Sequence, residues 1–266
     1  MKAFAYHRPT SVAEAAALFS SGPESRPMAG GMTLLPTIKQ RLAAPSALID
    51  LSAIPGLAGI ASGAGGLTVG AMTRHVDVAR SEVVAKAIPA LAALAAGIGD
   101  PAVRNRGTIG GSLANNDPAA DYPAAVLALG ATVVTSAREI PAGDFFVGLF
   151  ETALRPGELI TAVKLPQPSM AGYAKFANPA SRFALVGVFV AKFADGVRVA
   201  VTGAGPGVFR LGVLEGPLND RFQPDAIDGV TVDSSGLNSD IHADAGFRAH
   251  LVKVMVKRAV MAARES

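Results

Sequence analysis

Two glycine pairs stand where a backbone could hold an anion. The first is Ala29-Gly30-Gly31-Met32-Thr33, running into Leu34, and the second is Gly107-Thr108-Ile109-Gly110-Gly111-Ser112. A glycine has no Cβ to keep an anion away from its N–H. A helix start adds unpaired donors and the positive end of the aligned peptide dipoles. Two such loops can clamp a diphosphate from two sides. Singly, a Gly-Gly is more often a plain tight turn. Neither segment matches G-x-G-x-x-G or G-x-x-x-x-G-K-[ST], which disfavours a Rossmann or kinase-type nucleotide site. The second pair lies inside residues 97–123, dense in Gly, Asn, Asp and Pro. Long structureless loops in compact domains are usually functional, and this stretch is read as one.

The other reactive residue types narrow the chemistry. There is no cysteine, so the chain can ligate no iron–sulfur cluster through thiolates, form no disulfide and offer no thiol nucleophile. The four histidines, His7, His75, His242 and His250, lack metal-ligand spacing, and no protein-bound metal is expected. His75 is expected to be structural and His242 to belong to a cap or turn. Arg104 and Arg106 are read as surface or partner-contact residues. No Ser-His-Asp set or close carboxylate pair emerges from the order of residues. Aromatic residues make up 6% of the chain and the net charge of +3 is spread without a basic run, so no nucleic-acid partner is expected.

These residues need elements to position them. Ser11 and Glu14 form a capping box that predicts a helix over 12–19, ending near Gly22-Pro23. A strand over 26–29 runs into the first glycine pair, and a helix over 33–41 leaves it. Short strands follow over 48–51 and 67–70, then helices over 76–81 and 83–96, the second interrupted by Pro89. An apolar run resumes over 124–135, and a strand over 158–165 is closed by Pro166. Pro166-Gln-Pro168 reads as a linker. Beyond it, strands over 183–193 and 197–202 flank an Asp195-Gly196 turn, a strong hairpin signal. A helix over 244–264 carries its basic residues late, as a helix C-terminus prefers. The start has no apolar signal segment and no stretch reaches membrane-span length, which predicts a soluble cytoplasmic protein with no integral membrane segment.

AGGMTLLPTIKQRLAAPSALIDL, LTVGAMTRH, GDPAVRNRGTIGGSLANNDPAADYPAAVLALGA and GELITAVKLP together resemble the FAD-binding subunits of molybdopterin dehydrogenases. Within that group the chain looks like the carbon monoxide dehydrogenase medium-subunit type, and more distantly like the FAD domain of xanthine dehydrogenase. KFANPASRFALVGV and DIHADAGFRAHLVKVMVKRAV are similar to that family's C-terminal part. The resemblance implies an α+β fold. A two-lobed FAD-binding domain of the vanillyl-alcohol-oxidase type would span residues 1–167, with lobes of about 1–55 and 56–167. Residues 168–266 would form a small domain with a three-stranded antiparallel sheet and a helical bundle.

It also implies site residues. Ala29, Gly30, Gly31, Met32, Thr33 and Leu34 would offer the diphosphate backbone donors from the first lobe. Gly107, Thr108, Gly110, Gly111 and Ser112 would do so from the second. A carboxylate at Gly110 or Gly111 is therefore expected to repel the ligand. Asp121 falls where the family binds the ribityl chain, and Ile160 and Ile98 where apolar groups line the flavin pocket. Met32 stands where many relatives carry Gln, Glu or Ser. Ala177 stands where relatives often have Lys or Arg near the flavin edge, and Lys175 is the cation two residues away. With no Cys anywhere and no His in the glycine loop, a non-covalent FAD is implied.

The implied partners are a large molybdenum-binding subunit and a small subunit with two [2Fe-2S] clusters, in a dimer of heterotrimers that is cytoplasmic or peripheral at the inner membrane face. Electrons would pass from molybdenum through the clusters to this FAD and on to an external acceptor. A free-standing flavin oxidase of the same fold would need a base and a substrate pocket on this chain, and no base cluster is evident. An assembly protein that had lost its flavin would have had no reason to keep Gly30-Gly31, Gly110-Gly111 and Asp121.

Overall fold

The computed structural model describes residues 1–22 and 24–265. Pro23, at the expected end of the first helix, lies outside the described residues.

The chain opens with a parallel sheet of β1 (Ala5–His7), β2 (Ser25–Met28) and β3 (Ala47–Asp50) in the order β1-β3-β2. Helices α1 (Val12–Ser20) and α2 (Leu34–Lys39) connect them. Ser11 caps α1 by accepting from the Glu14 N–H at 3.2 Å. The return arm of the expected capping box lands one residue early, on the Thr10 N–H at 3.0 Å.

The second sheet is antiparallel, with β4 (Ile60–Gly63), β5 (Gly66–Gly70), β6 (Thr132–Thr135), β7 (Glu139–Pro141) and β10 (Ile160–Pro166) in the order β4-β5-β10-β6-β7. Val69, Val163 and Val133 stand in one line across its centre, all fully buried. The short strands β8 (Phe146–Gly148) and β9 (Glu151–Thr152) form a separate hairpin.

Between β5 and β6 the chain is mostly helical: α3 (His75–Arg80), α4 (Glu82–Ala87), α5 (Pro89–Ala96), α6 (Pro101–Arg106), α7 (Ile109–Asn115) and α8 (Tyr122–Ala128). Two expectations are corrected here. Pro89 does not interrupt one helix but starts a second, because its missing N–H is harmless at a first position. Residues 97–123 are not a structureless loop either. Asp100 caps α6 through the Val103 N–H at 2.8 Å, Thr108 caps α7 through Gly111 at 3.1 Å, and Asn116 ends α7 in the left-handed region. The Asn, Asp and Gly that suggested a loop are the punctuation of two short helices. A single turn, α9 (Ala142–Phe145), follows β7.

The third sheet holds β11 (Met170–Ala177), β12 (Ala184–Phe193), β13 (Gly196–Thr202) and β14 (Phe209–Arg210), antiparallel and in sequence order. The three strands implied by the resemblance are joined by a fourth. Gly205-Pro206-Gly207 turns the chain back so that Val201 pairs with Phe209 and Ala200 with Arg210. Side chains alternate across this sheet. Val186, Val188, Val190, Val197, Val199 and Val201 share a core with Leu251, Val252, Met255 and Val256 of α11 (Ala245–Glu265) and with α10 (Gly212–Asp220). The opposite face, with Ala171, Tyr173, Phe189, Ala191 and Ala200, joins the core of the second sheet and its helices. The third sheet is thus covered on both sides.

Arg248 locks α11 to that sheet. Its buried guanidinium donates to Leu185 O at 2.7 Å and Gly203 O at 3.0 Å and pairs with Asp240 at 2.7 Å. Replacing it with Met leaves two carbonyls without a donor. Arg248→Met is predicted to destabilise the fold by about 3 kcal/mol, read as a lower urea midpoint at unchanged slope.

Candidate functional site

One cavity of about 570 Å³ lies where the first sheet, the second sheet and α7 meet. That volume is in the range of small-molecule and cofactor pockets, about 300–1,000 Å³. Ala29, Gly30, Gly31, Met32, Thr33, Leu34, Ile98, Gly107, Thr108, Gly110, Gly111, Ser112, Asp121 and Ile160 all line it. Lys175 does not.

The first glycine loop offers unpaired donors. Gly31 takes a φ of +72°, open to glycine at little cost, and turns the chain from β2 into α2. Among the described residues the N–H groups of Gly30, Gly31, Met32, Thr33 and Leu34 have no protein acceptor; the first to find one is Leu35, which donates to Gly31 O at 3.0 Å. Five successive free N–H groups at a cavity wall are an anion-binding arrangement.

The second loop works differently from expectation. Gly107 donates to Val103 O, Ile109 to Thr73 O, Gly110 to Ala71 O and Gly111 to the Thr108 hydroxyl. Among the described residues, Thr108 is the member of residues 107–112 whose N–H has no partner. The glycines here serve close approach. A Cβ on Gly30 would clash with the Arg106 carbonyl and lie 2.8 Å from the Gly107 Cα, so the two loops touch backbone to backbone. A Cβ on Gly110 would meet Ala71, 2.6 Å from its Cβ and 2.7 Å from its carbonyl oxygen. Any side chain at Gly110 would therefore also disturb the seat of α7 on Ala71, at the end of β5.

The opposite wall is polar and already paired. Asp121 stands at the N-cap position of α8 without capping it. Its carboxylate instead accepts from Tyr173 and pairs with Lys175 at 2.8 Å. Burial pushes the Asp121 carboxyl above the ordinary range, against the pull of Lys175 and Tyr173. Lys175 sits behind Asp121 and also donates to Gly97 O at 2.8 Å. Alternation along β11 puts Lys175 with Tyr173 on the face towards α5 and α8, which corrects its expected place at the cavity surface.

Sequence reasoning missed several lining groups. Glu158 and Arg155 line the cavity, and Glu158 is held by Arg138 at 3.0 Å, by the Thr135 hydroxyl at 2.7 Å and by the Arg155 N–H at 2.8 Å. Burial would raise the Glu158 carboxyl, but these bonds, Arg138's first, hold it below the usual range. Phe183 and Leu154 add apolar wall. His75 also lines the cavity, buried beside Tyr122, and its Nδ1 has no hydrogen-bond partner among the described residues. Burial, with the Arg104 cation, lowers its pKa to about 4. Among the described residues no group of three His, Cys, Asp or Glu side chains could hold a metal.

A family profile described as "FAD binding domain in molybdopterin dehydrogenase" matches residues 2–168. The nicotine 6-hydroxylase medium subunit of Paenarthrobacter nicotinovorans is 36% identical, over 99% of this chain and 98% of its own length. The carbon monoxide dehydrogenase medium chain of Hydrogenophaga pseudoflava is 35% identical, over 98% and 96%. Among solved structures, a chain of reconstituted CO dehydrogenase from Oligotropha carboxidovorans superposes with a TM-score of 0.92 at 31% identity, covering 99% of this chain and 98% of that one. A chain of quinoline 2-oxidoreductase from Pseudomonas putida 86 does so with a TM-score of 0.89 at 32% identity, covering 100% and 99%.

Two outcomes follow from this geometry. Gly110→Ala is expected to destabilise the fold by about 2 kcal/mol and Gly111→Ala by less, because a Cβ there would meet the Thr108 hydroxyl at 3.0 Å and Ala29 Cβ at 3.3 Å. Paired urea melts read the difference. His75 is neutral in the fold down to about pH 4, against 6.5 when free. Above pH 6.5 both states are neutral; as pH falls the unfolded state takes the proton first, so stability is lost between pH 6.5 and pH 4. The loss is about 3 kcal/mol, and His75→Gln should flatten that part of the pH–stability curve relative to the native chain.

Proposed function

Because the chain belongs to the family of FAD-binding subunits of molybdopterin dehydrogenases, we propose that it is the flavin-carrying, electron-transferring member of a molybdenum hydroxylase complex. The observation that carries this is the row of free N–H groups from Gly30 to Leu34, on residues that line a cavity together with the second glycine loop, which the first meets backbone to backbone. In this reading residues 1–167 form a two-lobed FAD-binding domain, with lobes of about 1–55 and 56–167, and residues 168–266 form the C-terminal domain.

The first loop binds the diphosphate through its backbone donors, which need no particular side chain at Met32. The Thr108 N–H and the hydroxyls of Thr108 and Ser112 add donors from the second loop. Asp121 accepts from the hydroxyls of the ribityl chain. Ile98 and Ile160 give the flavin ring an apolar bed and exclude water from it. Arg138 holds Glu158 and the Ala153 carbonyl, keeping the segment with Leu154 and Arg155 against the cavity.

When bound, non-covalent FAD supplies the redox chemistry, taking electrons relayed from molybdenum by iron–sulfur clusters and giving them to an external acceptor. The partners in this reading are a large molybdenum subunit and a small iron–sulfur subunit, arranged as a dimer of heterotrimers in the cytoplasm. Among the described residues no helix is long and apolar enough to cross a membrane. Half of the residues are hydrophobic, as suits a chain with large obligate interfaces.

Acid extraction of the purified complex is expected to release FAD from this chain, and a complex with these partners but no flavin would overturn the reading. Thr33 tests the first loop. It occupies the N-cap position of α2 without a side-chain cap bond, so Asp fits there structurally. Thr33→Asp places a negative charge beside the diphosphate and is expected to raise the FAD dissociation constant about 10- to 100-fold with the fold retained. Thr33→Asn should bind nearly as the native chain does. Fluorescence titration of the flavin-free chain measures both.

A further inference from the structure

The wall that carries Asp121 is held from outside the matched stretch 2–168. The Thr202 hydroxyl, fully buried, lies 2.9 Å from Pro118 O and 2.7 Å from Ala120 O. The Gly203 N–H donates to Pro118 O at 2.7 Å and the Ala184 N–H to Ala119 O at 3.3 Å. Every carbonyl from Pro118 to Ala120 is therefore met by β12, β13 or the turn after it. Asp121 is met by β11, through the Tyr173 hydroxyl and the Lys175 ammonium on one carboxylate oxygen.

Asp121 is buried and Lys175 half-buried. Asp121 is 5% exposed and the Lys175 side chain 10%. A buried carboxylate without its cation is costly and tends to take up a proton. A protonated Asp121 would present a different hydrogen-bonding face to the cavity. Lys175 also reaches Gly97 O, at the end of α5 and next to the lining residue Ile98. One ammonium thus ties the carboxylate wall to the apolar wall.

We infer that Lys175 and Tyr173 are positioning residues for the FAD site, setting the charge and aim of the Asp121 carboxylate, so that the cofactor is held by the whole chain and not by residues 2–168 alone. This rests on the flavin reading above. It assigns neither residue a contact with the flavin.

The test is FAD titration of the full-length, flavin-free chain. If the native chain takes up no FAD, the flavin reading fails, and this inference with it. If it binds FAD, Lys175→Met is expected to weaken binding about 10- to 100-fold, Tyr173→Phe to weaken it several-fold, and Lys175→Arg to recover most of the loss. The double variant Lys175→Met/Asp121→Asn should bind no worse than Asp121→Asn alone, since Lys175 acts through that carboxylate. A purely structural staple would instead give losses that multiply in the double variant and no recovery with Arg. Either result overturns the inference, as does native affinity in a folded Lys175→Met. Should Lys175→Met fail to fold by circular dichroism, Tyr173→Phe decides in its place, and unchanged affinity there overturns it.

Discussion

The contact between Gly30 and the Arg106–Gly107 peptide governs the geometry of the site. One segment follows β2 and the other joins α6 to α7 in a distant part of the chain, yet no side-chain atom fits between them. With the loops in contact, the residues that carry the free donors line the same cavity as the second loop. Any side chain at position 30 would force them apart and widen the cavity between them. In the second loop every N–H but that of Thr108 is paired, with Val103, Thr73, Ala71 and Thr108 as acceptors. The two loops thus divide their work. The first leaves five successive N–H groups without a protein acceptor, and the second is anchored to α6 and to the segment after β5 by most of its own.

The third sheet matters to the site as much as the loops do. Its valine-rich face is closed by α11, and its opposite face is shared with α5 and α8. That second face carries Tyr173 and Lys175 to Asp121, while the strand ends tie down residues 118–120. Without this sheet, Asp121 would sit at the start of a short helix with no charged partner. The polar wall of the cavity is therefore a tertiary product, although its key carboxylate lies in the N-terminal part of the chain.

Much of this was legible in the residues. The capping of α1, the strand-turn-helix around Gly30-Gly31, the Asp195-Gly196 hairpin and the long final helix all carry strong local signals, and each appears within a residue or two of where it was expected. The helices inside 97–123 were hidden because Asp100, Thr108 and Asn116 are cap residues whose types also mark loops. β11 was hidden because MAGYAKFA breaks its apolar face, Met170 to Phe176, with Gly172 and Ala174 and carries a Tyr-Lys pair on the other, leaving no clear apolar alternation. Missing β11 as a strand meant missing where Lys175 points. The network of Arg138, Thr135 and Glu158 was illegible for another reason. It joins residues twenty and more positions apart, and no local pattern marks such a meeting.

The state of the ionisable groups around the cavity bears on what the chain can do alone. Asp121 is committed to Lys175 and Tyr173, and Glu158 to Arg138 and Thr135. His75 is buried, with a pKa lowered to about 4, and the cation nearest it is Arg104, itself bonded to the carbonyls of Ile98 and Gly99. A general base must reach a substrate proton with a titration poised near the working pH. Glu158 is held below the usual range by its hydrogen bonds and His75 by its burial, which takes both away from that poise. The cavity is arranged to hold and orient a ligand, with its charges neutralised in place.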